Sequence, residues 1–123
     1  MKPVALVVDD SMLVRHTVCR FLEQRGYEVE SASNGAEAVA MVGCVRPDLI
    51  VTDLQMPRMT GPEFITVLKS NPQTATIPIV VISARRDLPN VLRENRADYA
   101  IYKDIDIVAQ LDKALAAIFT PAR

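Results

Sequence analysis

Three short apolar runs constrain this chain most: Val4-Ala5-Leu6-Val7-Val8, Leu49-Ile50-Val51-Thr52 and Ile79-Val80-Val81-Ile82. Each is too short for a helix and lacks the polar alternation of a half-exposed strand. Strands of this kind lie inside parallel sheets, with both faces covered by helices. What closes each run matters as much. Asp9-Asp10 ends the first, Asp53 the second and Ser83 the third, while Lys103 follows Ala100-Ile101-Tyr102. Open parallel sheets bind ligands outside the carboxyl ends of their strands, where strand order reverses. Three carboxylates, a hydroxyl and an ammonium should therefore converge at one end of the sheet. Clustered carboxylates raise one another's pKa unless a cation sits among them. An all-oxygen set suits a hard ion such as Mg²⁺, which keeps waters and shares positions with phosphate oxygens. The pattern reads as a phosphate-handling site.

Between these runs the period changes to that of helices. From Ser11 to Arg25, Val14, Val18, Phe21 and Leu22 form one apolar stripe, and Gly26 suits a helix C-terminus. Glu28 to Ala32 alternates like a half-polar strand, and Ala36 to Val45 returns to a helical pattern with Ala38, Val39 and Val42 inward. Pro62 opens another helix with Phe64, Ile65 and Leu68 buried, and Asn71-Pro72 stops it. The last helix is expected from about Ile105 to Phe119, burying Val108, Leu111, Leu115 and Ile118.

Strands alternating with helices predict a three-layer, doubly wound α/β fold with five parallel strands and right-handed crossovers. The half-polar second strand and the short fifth suit edges, so the order 2-1-3-4-5, flavodoxin-like, is expected. That order sets strand one beside strand three and brings Asp9, Asp10 and Asp53 together.

Bulk properties fit one domain over residues 1–123, with no linker before Thr120 to Arg123. Net charge is −1 and half the residues are apolar, which gives no broad nucleic-acid or membrane signature. No apolar run approaches the ~20 residues of a membrane span, and the stretch after Lys2 ends in two aspartates, unlike a secretory signal. Cys19 and Cys44 read as buried or half-buried thiols rather than a disulfide or metal pair. The expected compartment is the reducing cytoplasm.

In order, Asp9-Asp10-Ser11, Asp53-Leu54-Gln55-Met56-Pro57-Arg58-Met59-Thr60-Gly61, Ser83-Ala84 and Lys103 resemble the receiver domain of two-component response regulators. Ala32-Ser33-Asn34-Gly35-Ala36-Glu37-Ala38 resembles that family's second strand-to-helix junction. The resemblance implies that Asp53 is the phosphoacceptor, served by a sensor histidine kinase, a phosphotransfer protein or a small phosphodonor. It implies Mg²⁺ held by Asp10, Asp53 and the backbone carbonyl of Gln55, with Asp9 acting through a coordinated water. Lys103 would pair with the phosphoryl oxygens, and Ser83 would donate to one of them and move on phosphorylation. Gly61 would permit the tight turn after Asp53. Such a domain catalyses only its own phosphorylation and dephosphorylation.

Taken singly, each residue has a plainer role. Asp9, Asp10 or Ser11 can cap a helix, Asp53 and Ser83 can be ordinary strand ends, and Lys103 a solvated lysine. His16 reads as an exposed helix residue, Tyr99 and Tyr102 as edge-strand packing, and Asn34-Gly35 could turn a hairpin. The sequence also departs from the family. Ala100 stands where an aromatic switch residue is usual, three positions before the lysine, and Tyr99 and Tyr102 are expected to point away from its face. Asp104 replaces the usual proline, so a trans bond is expected after Lys103. The span from Ser83 to Lys103 is short, and Pro89 weakens its helix.

Output is therefore expected from Arg85 to Arg96, a loosely held segment in which Arg85, Arg86, Arg93 and Arg96 could meet an acidic protein partner or an anionic nucleotide. Two other readings stand beside the receiver. One is a phosphatase of the haloacid-dehalogenase type, which needs a second carboxylate where this chain has Gln55. The other is a receiver-like interaction module that does not switch.

Overall fold

The computed structural model describes residues 2–103 and 106–119. Asp104, Ile105 (the expected start of the last helix) and the tail from Thr120 to Arg123, with the expectations placed on them, lie outside the described residues. The elements alternate strictly: β1 (Val4–Val8), α1 (Met12–Gln24), β2 (Glu28–Ala32), α2 (Gly35–Val45), β3 (Leu49–Asp53), α3 (Gly61–Ser70), β4 (Ile79–Ser83), α4 (Leu88–Asn95), β5 (Tyr99–Tyr102) and α5 (Ile107–Phe119).

The five strands form one sheet in the order β2-β1-β3-β4-β5, and every pairing is parallel. This is the flavodoxin-like arrangement the sequence predicts. Every residue of β3 and β4 is buried, whereas Glu28 and Glu30 keep β2 exposed along its polar side. That division follows from position: central strands lose both faces to helices, and edge strands do not.

Alternate strand residues feed two cores. Leu6, Val8, Ile50 and Val81 pack with Phe64 and Leu68 of α3 on one face. Ala5, Val7, Val51 and Ile82 pack with Phe21 and Leu22 of α1 and Leu111 of α5 on the other. Placing α1 and α5 together, opposite α2, α3 and α4, is what right-handed crossovers give for this strand order.

Helix starts follow their caps. Ser11 accepts from the Val14 N–H and opens α1, and Asn34 accepts from the Glu37 N–H and opens α2, so Asn34-Gly35 begins a helix rather than a hairpin. Gly26 takes φ +90° just after α1, the left-handed conformation that favours glycine.

Three expectations need correction. Val108 is 41% exposed, and Ala114 takes its place beside Leu111 and Leu115. A helix turns ~100° per residue, so a stripe centred near Leu111 and Ala114 leaves Val108 at its margin. Cys44, expected to be at least half-buried, is exposed; both it and the half-buried Cys19 are free thiols. Tyr102 shares the face of Ala100, since the two lie two residues apart in β5 and strand side chains alternate with period two. Among the described residues, no helix is long and apolar enough to cross a membrane.

Candidate functional site

Register alone brings the acidic residues together. Val8 pairs with Thr52, so the next residues, Asp9 just past β1 and Asp53 at the last position of β3, stand side by side. Ser83 pairs with Tyr102, which sets Lys103 just beyond it. Carboxylate oxygens of Asp9, Asp10 and Asp53 all lie within 4.8 Å of one another. All five residues singled out from the sequence thus meet at one end of the sheet.

Each is held differently. Asp53 is buried, and its Oδ1 accepts from the backbone N–H groups of Leu54 at 2.8 Å and Gln55 at 3.4 Å. Its Oδ2 accepts from Lys103 Nζ at 3.0 Å. The same ammonium stands 3.9 Å from Asp9 Oδ1. Asp9 is fully buried; its Oδ1 accepts from the Ser11 N–H at 2.8 Å, but its Oδ2 has no hydrogen-bond partner. Asp10 is exposed at the mouth.

Titration follows from these surroundings. Burial pushes the Asp9 carboxyl up to about 6; the Ser11 N–H and Lys103 pull it down, while Asp53 and Asp10 push it further up. For Lys103 burial works downward, yet the hydrogen bond and charge of Asp53, with Asp9 and Asp10 behind it, hold the ammonium above its usual range. Lys103 is therefore a fixed cation.

The chemistry of the donors fits a hard divalent ion. They are all carboxylate oxygens, and one of them, Asp9 Oδ2, is buried without any partner. An orphaned buried acceptor costs on the order of 1–3 kcal/mol, which a cation or its water would recover. A single ammonium facing three carboxylates leaves negative charge to spare.

Two glycines shape the rim. A Cβ on Gly61 would stand 2.4 Å from the Asp53 carbonyl oxygen, and one on Gly35 would stand 2.6 Å from the Met59 carbonyl oxygen. The segment from Leu54 to Thr60 is thus seated against the start of two helices. Sequence reading found a role for Gly61 but none for Gly35, whose partner is 24 positions away in the chain and visible only in three dimensions.

The opposite wall is built from side chains. Ser83 Oγ accepts from the Arg85 N–H at 2.9 Å and donates to the Arg85 carbonyl at 3.2 Å. Arg85 forms ion pairs with Asp87 at 2.6 Å and Glu94 at 2.8 Å, so its charge is answered within the segment. Arg93 donates to Asn90. Arg86 lies over the Tyr102 ring, 5.3 Å from its centroid, and its Nε donates to the Tyr102 hydroxyl at 3.2 Å. The main chain of Tyr102 in turn exchanges two hydrogen bonds with the Gln110 amide of α5, at 2.8 and 2.7 Å. A period-two count from Ala100 gives the face of Tyr102, but these contacts, to a loop residue and to a helix elsewhere in the chain, are visible only in three dimensions.

A cavity of about 380 Å³ opens between the two walls, lined by Asp53, Ser83, Arg85, Glu94, Asn95 and Lys103 among others. A larger one of about 560 Å³, between α2 and α3, is lined by Val42, Phe64 and Leu68 and shares no residue with the carboxylate site.

Against known proteins, the model of the response regulator receiver domain matches residues 5–116. A response regulator MprA of Mycobacterium avium is 44% identical over 80 residues, which cover 65% of this chain and 34% of that protein. A hybrid signal transduction histidine kinase D of Dictyostelium discoideum is 38% identical over 86 residues, 70% of this chain and 6% of that protein. The chain thus spans about a third or less of these curated relatives. Among solved structures, the chemotaxis response regulator CheY4 of Vibrio cholerae superposes with a TM-score of 0.87 at 32% identity, covering 97% of this chain and all of its own. None of these matches favours the phosphatase reading or the non-switching module.

Proposed function

Because this chain belongs to the response regulator receiver domain family, we propose that Asp53 accepts a phosphoryl group from a histidine kinase or phosphotransfer protein, in a Mg²⁺-dependent reaction. One observation carries the reading: a buried carboxylate, Asp53, lies 3.0 Å from an ammonium inside a cluster of three carboxylates.

The chain's residues then divide the work. An Asp53 oxygen forms the new bond to phosphorus as the bond to the donor's imidazole nitrogen breaks, and the electron pair leaves with the imidazole. Phosphoryl transfer depends on positioning and charge neutralisation more than on a strong nucleophile. The Leu54 and Gln55 N–H groups and Lys103 orient the Asp53 carboxylate before transfer. Lys103 afterwards remains as the cation facing the phosphoryl oxygens. Asp10, Asp53 and the Gln55 carbonyl would ligate Mg²⁺, with Asp9 reaching it through a water; bound there, the ion would offset the carboxylate charge and polarise the phosphoryl oxygens.

Ser83 supplies the response. Its hydroxyl now serves the Arg85 backbone, and turning it to a phosphoryl oxygen would release that turn. The released segment leads through Arg86 and Tyr102 to α5, a local charge change biasing a poised element. A downstream partner would read this surface, with Arg85, Arg86, Arg93 and Arg96 as its cations, in the cytoplasm. The four are not an open basic patch at rest, since Arg85 is already paired with Asp87 and Glu94.

Intact-mass measurement after acetyl phosphate and Mg²⁺ tests the assignment: wild type gains one phosphoryl group and Asp53→Asn gains none. Equal labelling of both proteins would sink it. For the output segment, hydrogen exchange with beryllofluoride, a mimic of the aspartyl phosphate, should change protection between Arg85 and Arg96. Unchanged protection there would mean that the segment does not report the state of Asp53.

A further inference from the structure

Arg15 stands in an electrostatically awkward place. It is the fourth residue of α1, close to the positive end of the helix dipole, and the first turn holds no acidic residue to offset it. Nothing about helix stability calls for a cation there. Its side chain runs back toward the helix start, as helical side chains do, and Nη1 donates to the carbonyl oxygen of Asp9 at 2.7 Å.

That bond completes a three-point hold on Asp9. The residue's N–H donates to the Ala32 carbonyl at 3.1 Å, its Oδ1 accepts from the Ser11 N–H at 2.8 Å, and its carbonyl accepts from Arg15. Peptide groups are planar, so fixing the Asp9 carbonyl fixes the plane that leads into Asp10. Asp10 has no comparable support: among the described residues, its carboxylate makes no hydrogen bond or ion pair, yet it lies within reach of those of Asp9 and Asp53.

We propose that Arg15 is a positioning residue for the metal centre: it locks the Asp9–Asp10 peptide so that the exposed Asp10 carboxylate stays aimed at the cluster, and it sets a permanent cation behind the turn. The inference rests on the cation-binding reading of the three carboxylates. A guanidinium suits the task, being always charged and carrying donors in a rigid fork. Outer partners of this kind typically change metal affinity by about 10-fold or more when removed.

Calorimetric titration with Mg²⁺, with Mn²⁺ as a spectroscopic check, tests it on wild type, Arg15→Met, Arg15→Gln, Arg15→Lys and Asp10→Ala. Arg15→Met and Arg15→Gln should each bind about 10-fold more weakly, with Arg15→Lys nearer to wild type because the charge returns. Melting of the metal-free proteins should change little, while the metal-induced rise in midpoint should shrink in Arg15→Met and Arg15→Gln. Wild-type affinity in either of these two would overturn the role of Arg15 while leaving the metal centre standing. So would a loss of affinity that only tracks a loss of metal-free stability, since a merely structural contact would do that. If wild type itself binds neither ion and Asp10→Ala behaves identically, the metal centre fails and this role with it. Should one variant not fold, the other carries the test.

Discussion

The two walls of the carboxylate site are built on opposite principles. On the β3 side, backbone meets backbone: Gly61 and Gly35 leave no room for a side chain, and the Leu54 and Gln55 N–H groups seat Asp53. Helix α3 then begins with a full capping box, in which Thr60 accepts from the Glu63 N–H and Glu63 accepts from the Thr60 N–H. On the β4 side, Ser83 holds its loop through one hydroxyl, and Asp87 at the start of α4 makes no side-chain cap. Only Val91 and Asn95 of α4 are buried. The difference teaches how one site can aim a nucleophile and still respond. A wall fixed by sterics keeps Asp53 in place, while a wall fixed by exchangeable polar contacts can move for little free energy.

The largest expected effect breaks the rigid wall. Gly61→Ala would press a methyl against the Asp53 carbonyl oxygen 2.4 Å away and the Leu54 Cα 2.7 Å away, neither of which can step aside alone. Overpacking of this kind costs up to about 3 kcal/mol or more, so urea denaturation should show a lower midpoint and phosphorylation of Asp53 should slow with it. Wild-type stability and labelling would mean that this wall is not rigid.

Titration sharpens the comparison next. The folded Asp9 carboxyl titrates near 6, above its ordinary 3.8, so the native state binds more protons than the unfolded chain between those values. Its contribution to stability is therefore fully present at acid pH and is lost as pH rises toward 6. Removing the charge with Asp9→Asn should leave metal-free stability nearly unchanged at pH 4 and raise it at pH 7, by at most about 3 kcal/mol at about 1.4 kcal/mol per unit. Parallel pH profiles for the two proteins would contradict this origin of the strain.

Caps provide a smaller and more direct contrast. Thr60→Ala removes a working cap and should cost about 1 kcal/mol, read from denaturation midpoints. Asp87→Ala removes a side chain that makes no backbone cap and whose exposed carboxylate meets only the side chains of Arg85 and Asn90, the kind of surface contact that adds little to stability. No resolvable change in midpoint is expected. A loss equal to that of Thr60→Ala would erase the proposed asymmetry.

Local pattern carried much of this molecule. Apolar runs closed by Asp9, Asp53 and Ser83 predicted the central strands, because residues buried on both faces cannot alternate, and the half-polar second strand and short fifth predicted the edges and so the order. The site residues were legible for the same reason: parallel strands end together, so whatever follows them meets. The cap at Ser11 was open to local reading because its partner, the Val14 N–H, lies three residues on, whereas the caps at Asn34 and Thr60 emerged only with the structure.

What only the tertiary structure decided depends on partners far along the chain. Gly35 is indispensable because Met59 comes to rest against it, and nothing between them says so. The four arginines from Arg85 to Arg96 read as a locally basic segment, yet Asp87 and Glu94 both turn onto Arg85 and answer its charge. Tyr102 gains its role from Arg86 in the loop after β4 and Gln110 in α5. Val108 lost its expected place because a stripe's edge is set by the partner surface rather than by the helix alone. Periodicity fixes which face a residue takes; packing against distant elements decides what that face meets.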